Sequence, residues 1–340
     1  LFLQNETGKL IPKQVSLFDR DKRYEDLGAV LFDLNEDGHQ DIYVVSGSNE
    51  FEAQSEQHED RIYLGNGKGA FSDYKGDMKM TRIDGQLVEV GDIDSDGDLD
   101  IFIGNRVIAH QYLMPGESKL LINEGGVLIE KSDWLDSGSS RLGLVTDALI
   151  RDIDSDGDND IIVVGEWMPI TIIYNDGDRF RKEEISIFGH ESHGWWWSIE
   201  AGDFDGDGDL DLVAGNLGDN NKFKASAKNP FHIYSGDLDN NGDHDVYMAK
   251  TKGSIFLPLR GKECSTEEMP FISEKFENFD AFAKASLNEI FDNGQLNNAL
   301  HREIKNFASI YLENVDGKSF KASRLNNYCQ MGPMKDIITF

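Results

Sequence analysis

A nine-residue pattern, D-x-[DN]-x-[DN]-G-x-x-D, occurs five times in this chain: Asp33 to Asp41, Asp92 to Asp100, Asp152 to Asp160, Asp203 to Asp211 and Asp237 to Asp245. Each copy runs straight into an aliphatic residue, Ile42, Ile101, Ile161, Leu212 or Val246. Self-similarity on this scale restricts a chain to repeat architectures, and it outweighs any local propensity. Side chains alternate on both sides of the pattern, as in Leu87-Val88-Glu89-Val90 before the second copy and Ile101-Phe102-Ile103 after it. Each copy is therefore read as the bend of a β-hairpin.

A weaker motif follows most copies: apolar residues, Asn or Gly, a Gly turn, then another apolar residue. It reads Ile62-Tyr63-Leu64-Gly65-Asn66-Gly67 up to Phe71, Leu121-Ile122-Asn123-Glu124-Gly125-Gly126, Ile173-Tyr174-Asn175-Asp176-Gly177 up to Phe180, and Tyr311-Leu312-Glu313-Asn314 up to Phe320. This predicts a second hairpin per repeat, hence four antiparallel strands. First aspartates spaced 59, 60 and 51 residues apart leave room for one such blade each. The last spacing, 34 residues, is too short, so the fourth and fifth loops are read as the two bends of one blade.

Phe2 to Leu10 reads as an outer hairpin, with residues 335–340 closing the ring as an inner strand. The expected fold is thus an all-β β-propeller of six or seven four-stranded antiparallel blades, one domain over residues 1–340. One stretch differs. From Ser265 to Asn293 alternation stops, Ser265 and Glu268 have capping-box spacing, and Phe279, Phe282, Ala283 and Leu287 fall at helical separations. A short helical insertion at about 263–296, packed over one blade, is predicted.

The loops carry the chemistry. Calcium takes six to eight oxygen ligands, and carboxylates at positions 1, 3, 5 and 9 with a backbone carbonyl at position 7 supply them. The candidate ligand sets are Asp33, Asn35, Asp37, His39 and Asp41; Asp92, Asp94, Asp96, Asp98 and Asp100; Asp152, Asp154, Asp156, Asp158 and Asp160; Asp203, Asp205, Asp207, Asp209 and Asp211; and Asp237, Asp239, Asn241, Asp243 and Asp245. Position 6 is Gly38, Gly97, Gly157, Gly208 or Gly242, as the sharp turn requires. An EF-hand would need Glu at position 12, where this chain has Val44, Ile103, Val163, Ala214 and Met248. Turn propensity alone would not stack five carboxylates in each of three loops, because they repel one another. Lacking that Glu, the sites belong with weak extracellular calcium modules, placing the chain outside the cytoplasm, at the cell surface or in the periplasm.

Charge agrees. The 63 acidic residues outnumber 33 basic ones, for a net charge of -30, which excludes nucleic acid and anionic membrane surfaces as partners and favours cations. No apolar run is long enough to span a membrane, and the start at Leu1 reads as a trimmed piece of a longer protein. Cys264 and Cys329 match no zinc spacing; they allow one disulfide or two buried free thiols.

Taken together, the G-D-x-D-x-D-G-D-x-D-[IL] hairpins and N-x-G-x-F-like outer hairpins resemble the FG-GAP/VCBS repeat family, over residues 1–250 and again near 309–340. The resemblance implies a calcium-binding propeller, with the calcium loops on one face and ligands on the opposite one. Candidate ligand-binding residues on that opposite face are Arg106, Trp167, His193, Trp195, Trp196, Asn216 and Lys222. Three consecutive tryptophans, Trp195 to Trp197, cannot all face one way along a strand, so one points inward and another toward a surface where it can stack on a sugar ring. No nucleophile elbow, zincin motif or phosphate loop is present in the sequence. The expected function is a binding or adhesion module for carbohydrate or protein rather than an enzyme. The alternatives are a calcium-assisted polysaccharide lyase and a structural spacer in a larger surface protein.

Overall fold

The computed structural model describes residues 1–78, 81–135, 140–177 and 179–339. Among these residues it is an all-β protein of antiparallel sheets with a few short helices. Five sheets carry the repeats. The first joins Asp26–Phe32, Asp41–Ser46, Arg61–Gly65 and Phe71–Asp73, and the second joins Gly85–Gly91, Asp100–Asn105, Lys119–Asn123 and Leu128–Glu130, each in chain order. The third joins Leu144–Arg151, Asp160–Met168, Thr171–Asn175 and Phe180–Glu184, and it gains Gly194–Trp195 beside Glu166. In every sheet the nine-residue pattern bends the first hairpin, and in the first four the weaker motif bends the second.

The last two sheets depart from that plan. The fourth is Ser198–Gly202, Asp211–Gly215, Ile310–Val315 and Ser319–Arg324, so its second hairpin arrives about a hundred residues after its first. The interval holds the whole fifth sheet, ordered Ile255–Pro258, Asp245–Lys252, Phe231–Gly236 and Leu300–Ile304. This corrects the reading of the fourth and fifth loops as one blade. They sit in different sheets, and their spacing is short because the fifth sheet begins before the fourth is complete.

The termini also differ from expectation. Phe2–Gln4 and Leu10–Pro12 pair only with each other, and residues 335–339 form no strand; residue 340 lies outside the described residues. Five four-strand repeats are present among the described residues, against the six or seven expected.

The chain forms two compact units. One comprises Leu1–Ala109, Pro115–Val163 and Ile172–Glu183, and its core includes Phe32, Leu34, Tyr43, Val45, Ile101, Ile103 and Leu121. The other comprises His110–Met114, Val164–Thr171 and Glu184–Phe340. In it, helices Lys262–Glu268, Phe271–Lys275, Phe279–Lys284 and Leu287–Ile290, together with the chain just beyond them, lay Met269, Ile272, Phe282, Leu287, Ile290 and Phe291 on Tyr234, Leu238 and Tyr247. A last helix spans Asn293–Asn298. Burying those side chains gives helices too short to stand alone their stability.

Ser265 does not cap. It is buried inside its helix, with its hydroxyl 3.0 Å from that of Tyr247, while the capping boxes are made by Ser286 with Glu289 and Asp292 with Gln295. Neither cysteine is bridged, and Cys264 is exposed rather than buried. No helix among the described residues is long and apolar enough to cross a membrane.

Candidate metal centres and ligand face

The five acidic loops share one conformation. Position 4 is left-handed in all of them, at Glu36, Ser95, Ser155, Gly206 and Asn240, and position 6 is a positive-φ glycine with φ between 81° and 103°. A Cβ at any of the five position-6 glycines would meet nothing within 4 Å, so the demand for glycine there is conformational and not steric. In four loops the position-1 carboxylate accepts the N–H of the position-6 glycine, at 2.8 Å for Asp33, 3.1 Å for Asp92, 3.0 Å for Asp152 and 3.0 Å for Asp237. The fourth loop uses Gly206 instead, 2.7 Å from Asp203. The position-2 side chain anchors the loop beneath: Leu34, Ile93, Ile153 and Leu238 are buried, and only Phe204 is exposed.

This turn brings acids together. Carboxylate oxygens of Asp92, Asp94 and Asp96 lie within 4.8 Å of one another, as do those of Asp152, Asp154 and Asp160, of Asp203, Asp205 and Asp207, and of Asp237, Asp239 and Asp245. Two unit charges at that separation repel by about 3 kcal/mol at an effective dielectric near 20. Burial adds to the cost, since Asp92 Oδ1 and Asp154 Oδ1 are enclosed atoms with no hydrogen-bond donor. A carboxylate oxygen deprived of both water and a donor is costly unless a cation meets it. The donor set, oxygen only, suits a hard divalent ion such as calcium. In the first loop Asn35 replaces one carboxylate between Asp33 and Asp37.

In three loops the position-7 side chain is engaged elsewhere, which leaves its carbonyl as the group it could offer a cation. Asp98 accepts from the Gly125 N–H at 2.7 Å, and Asp158 from the Ser95 hydroxyl at 3.2 Å. The His39 ring packs so closely on Gly67 that a Cβ there would come within 2.6 Å of Nδ1.

Position 9 does more than its sequence role. One oxygen accepts the position-2 N–H, at 3.1 Å for Asp41, 2.7 Å for Asp100, 3.1 Å for Asp160, 3.2 Å for Asp211 and 2.8 Å for Asp245. In the first four loops the other oxygen accepts from the third strand of the same sheet, from the N–H of Gly65, Asn123, Asn175 or Asn314. Each oxygen of Asp41, Asp100 and Asp160 retains a lone pair for a cation, whereas Asp211 Oδ2 also accepts the Tyr311 hydroxyl at 2.7 Å. Burial is the largest influence on Asp41, Asp100, Asp160 and Asp245, and it pushes Asp100 up to about 6 and Asp160 up to about 7. A bound cation would reverse that shift.

Two asparagines absent from the candidate set complete the loops from outside. The Asn123 amide donates to the Leu34 carbonyl at 2.9 Å, and that of Asn175 to the Ile93 carbonyl at 2.7 Å. Each closes the weaker repeat motif, and that position was the available sequence signal.

The proposed ligand-face residues divide by burial. Trp167 and Trp196 are 1% and 0% exposed, so neither offers a ring to a ligand. Trp167 stacks on Phe231 with its Nε1–H on the Tyr112 hydroxyl, and the Trp196 Nε1–H donates to the Ser192 carbonyl. Asn216 is also buried: its Oδ1 accepts from Trp195 and Leu217 and its amide donates to the Asn306 carbonyl. In this structure all three are packed and hydrogen-bonded within the protein.

Trp195 is half-buried and stacks near Phe223, with ring centroids 6.4 Å apart and planes 14° apart. Its Nε1–H donates to the buried carboxylate of Glu166 at 2.9 Å. Exposed Lys222 lies 5.3 Å above the Phe223 ring. His193 is half-buried, with a pKa lowered by desolvation and Glu191 3.5 Å away. Arg106 belongs to the other unit, where it edges a shallow cleft with Leu27, Asn49 and Asp84.

Residues 33–103 and 152–214 match the FG-GAP-like repeat. No curated protein matches the chain. Among solved structures, similarity is found to an Agrocybe aegerita lectin described as recognising non-reducing terminal N-acetylglucosamine, at 17% identity and a TM-score of 0.36, covering 89% of this chain and 81% of the lectin. The Vibrio cholerae biofilm matrix protein Bap1 is similar at 11% identity and a TM-score of 0.31, covering 91% of this chain and 68% of Bap1. Neither likeness bears on what this chain binds.

Proposed function

We propose that this FG-GAP-repeat protein is a calcium-loaded β-propeller acting outside the cytoplasm as a binding module for a carbohydrate or protein ligand. The observation that carries the reading is the pair of enclosed carboxylate oxygens, Asp92 Oδ1 and Asp154 Oδ1, each in a cluster of aspartates without a donor. Calcium in the five loops would neutralise the clusters and brace the first hairpin of each sheet. Position 9 would then tie ion, loop and third strand together in the first four sheets. Repeated four-stranded sheets, each bent at the same loop, favour radial blades, which leave few open edges.

The ligand surface we assign to Trp195 with Phe223 and Lys222, an aromatic and cationic edge suited to a sugar ring or a peptide side chain. Glu166 fixes the Trp195 indole, so the ring is pre-oriented. Loops without the position-12 Glu bind calcium weakly enough to need extracellular concentrations, which supports the location. A glycan array read with calcium and with chelator tests the proposal: retention of discrete glycans by wild type and their loss in Trp195→Ala is the expected result. Retention unchanged in that variant removes the assignment of this surface.

A further inference from the structure

The fifth sheet holds a buried contact between two imidazoles that neither the acidic loops nor the Trp195 surface uses. His232 is buried on the strand Phe231–Gly236 and pairs in register with Glu303 on Leu300–Ile304, while His301 lies two residues before Glu303 and so on the same face. His232 Nδ1 is 3.1 Å from His301 Nε2. Among the described residues Leu300–Ile304 is an edge strand, paired only with Phe231–Gly236, and it follows directly on the helices that cover this sheet.

Hydrogen bonding behind the pair fixes its tautomer. The Thr251 hydroxyl donates to the Pro230 carbonyl at 2.9 Å, so toward His232 Nε2, 2.8 Å away, it can only accept. Nε2 therefore carries the proton, and Nδ1 accepts from His301 Nε2–H. One added proton is accommodated, because His301 keeps contact with solvent and can take the other tautomer, accepting from His232 Nδ1–H. A second leaves two cationic N–H groups aimed at each other across 3.1 Å, and the hydrogen bond is lost.

The surroundings disfavour charge. Phe256 covers His232 at 4.3 Å and Tyr234 stacks on His301 at 4.4 Å, displacing the water that would solvate a cation. The strands Asp245–Lys252 and Ile255–Pro258 present Thr251 and Phe256 to His232. The charged groups facing the pair stand on the edge strand: Glu303, 3.8 Å from His232 Nδ1, and Arg302, which opposes charge on His301. Lys305 lies 3.1 Å from both Glu303 and Glu191, and His193 stands 3.5 Å from Glu191 beyond it. Burial and then His301 hold His232 down to about 4 against the pull of Glu303, and burial lowers His301 as well.

We propose that His232 and His301 form an acid-operated latch: their hydrogen bond holds the edge strand Leu300–Ile304 on the fifth sheet at neutral pH, and charging both rings lets that strand open. A free histidine titrates near 6.5, so the closed strand binds fewer protons than the open one. The latch is therefore complete above about 6.5 and weakens as pH falls toward 4. At pH 5, one ring held at about 4 rather than 6.5 favours the open form by about thirtyfold.

Hydrogen exchange of the calcium-saturated full chain at pH 7.5 and pH 5, corrected for the intrinsic rate at each pH, tests this. Protection of amides in 300–304 should fall at least about tenfold at pH 5 relative to those of Ser198–Gly202 in the fourth sheet. His301→Gln keeps a side-chain donor that cannot charge, and it should abolish the acid loss. Glu303→Gln should enlarge the loss, because the carboxylate no longer steadies the charged rings. Equal relative protection at both pH values in wild type, or the same acid loss in His301→Gln, overturns the proposal. If His301→Gln already lowers protection at pH 7.5, Glu303→Gln decides: a larger acid loss than in wild type supports the latch, and an equal or smaller one overturns it.

Discussion

The Asn175 side-chain amide donates to the backbone carbonyl of Ile93, 2.7 Å away and 82 residues distant in the chain. Its own N–H is meanwhile taken by Asp160 at 2.8 Å. One residue thus links the third strand of the third sheet to its own acidic loop and to the loop of the second sheet. Both bonds are buried, so truncating the amide leaves a carbonyl unsatisfied. Asn175→Ala is expected to cost about 1–3 kcal/mol in unfolding free energy. Asn175→Asp should be worse at neutral pH, because it adds an acceptor and a negative charge beside the acidic loops. Denaturant melts of the two variants check the order.

The tryptophan segment separates packing from recognition. Trp196 is wholly enclosed, so Trp196→Ala should lose about 3–5 kcal/mol and impair binding only through unfolding. Trp195 is half-buried, and Trp195→Ala should cost less stability while weakening ligand binding by tenfold or more. Parallel melts and binding curves distinguish the two. Equal losses of stability in both variants would make Trp195 another packing residue.

A pH signature is expected from Asp60, which is fully enclosed and receives hydrogen bonds from the Tyr43 hydroxyl at 2.6 Å and the Ser46 N–H at 2.8 Å. Burial outweighs those bonds and pushes its carboxyl up to about 8. Between the unfolded value near 4 and that folded value, the native state holds a proton that the unfolded chain has released. This contribution is complete at low pH and is lost as pH rises through the window, by at most about 1.4 kcal/mol per pH unit. Asp60→Asn lacks it. The variant should therefore gain on wild type between pH 5 and pH 8, as followed by denaturant unfolding at both values; a constant difference would contradict the shifted carboxyl.

Much of this molecule is legible in the sequence because its turn chemistry is local. Asp, Asn and Gly at fixed offsets dictate the five bends, and alternation dictates the strands beside them. What is not legible is pairing at a distance. Nothing near Asp211–Gly215 indicates that its partner is Ile310–Val315, since any aliphatic strand of suitable length would satisfy the same edge. The nesting of the fifth sheet was hidden for that reason. Ser265 has the spacing of a cap, but the Tyr247 hydroxyl that occupies it comes from a strand. Position 9 was visible as an acid, yet its backbone donors lie across the sheet. The tryptophan run shows that alternation must occur, and only the burial of each ring in the folded chain reveals that Trp196 is the one fully enclosed.

The claim on which most depends is that the acidic loops hold calcium. The enclosed oxygen of Asp154 makes its loop the most sensitive site, and Asp154→Asn should lower affinity there while the other loops still fill. The direct measurement is calorimetric titration of the chelator-stripped chain with calcium, paired with melting curves of the same samples. At least four ions should bind per chain, and the melting temperature should climb with calcium concentration by mass action. No binding heat at millimolar calcium, with the same melting curve in calcium and in chelator, would contradict it.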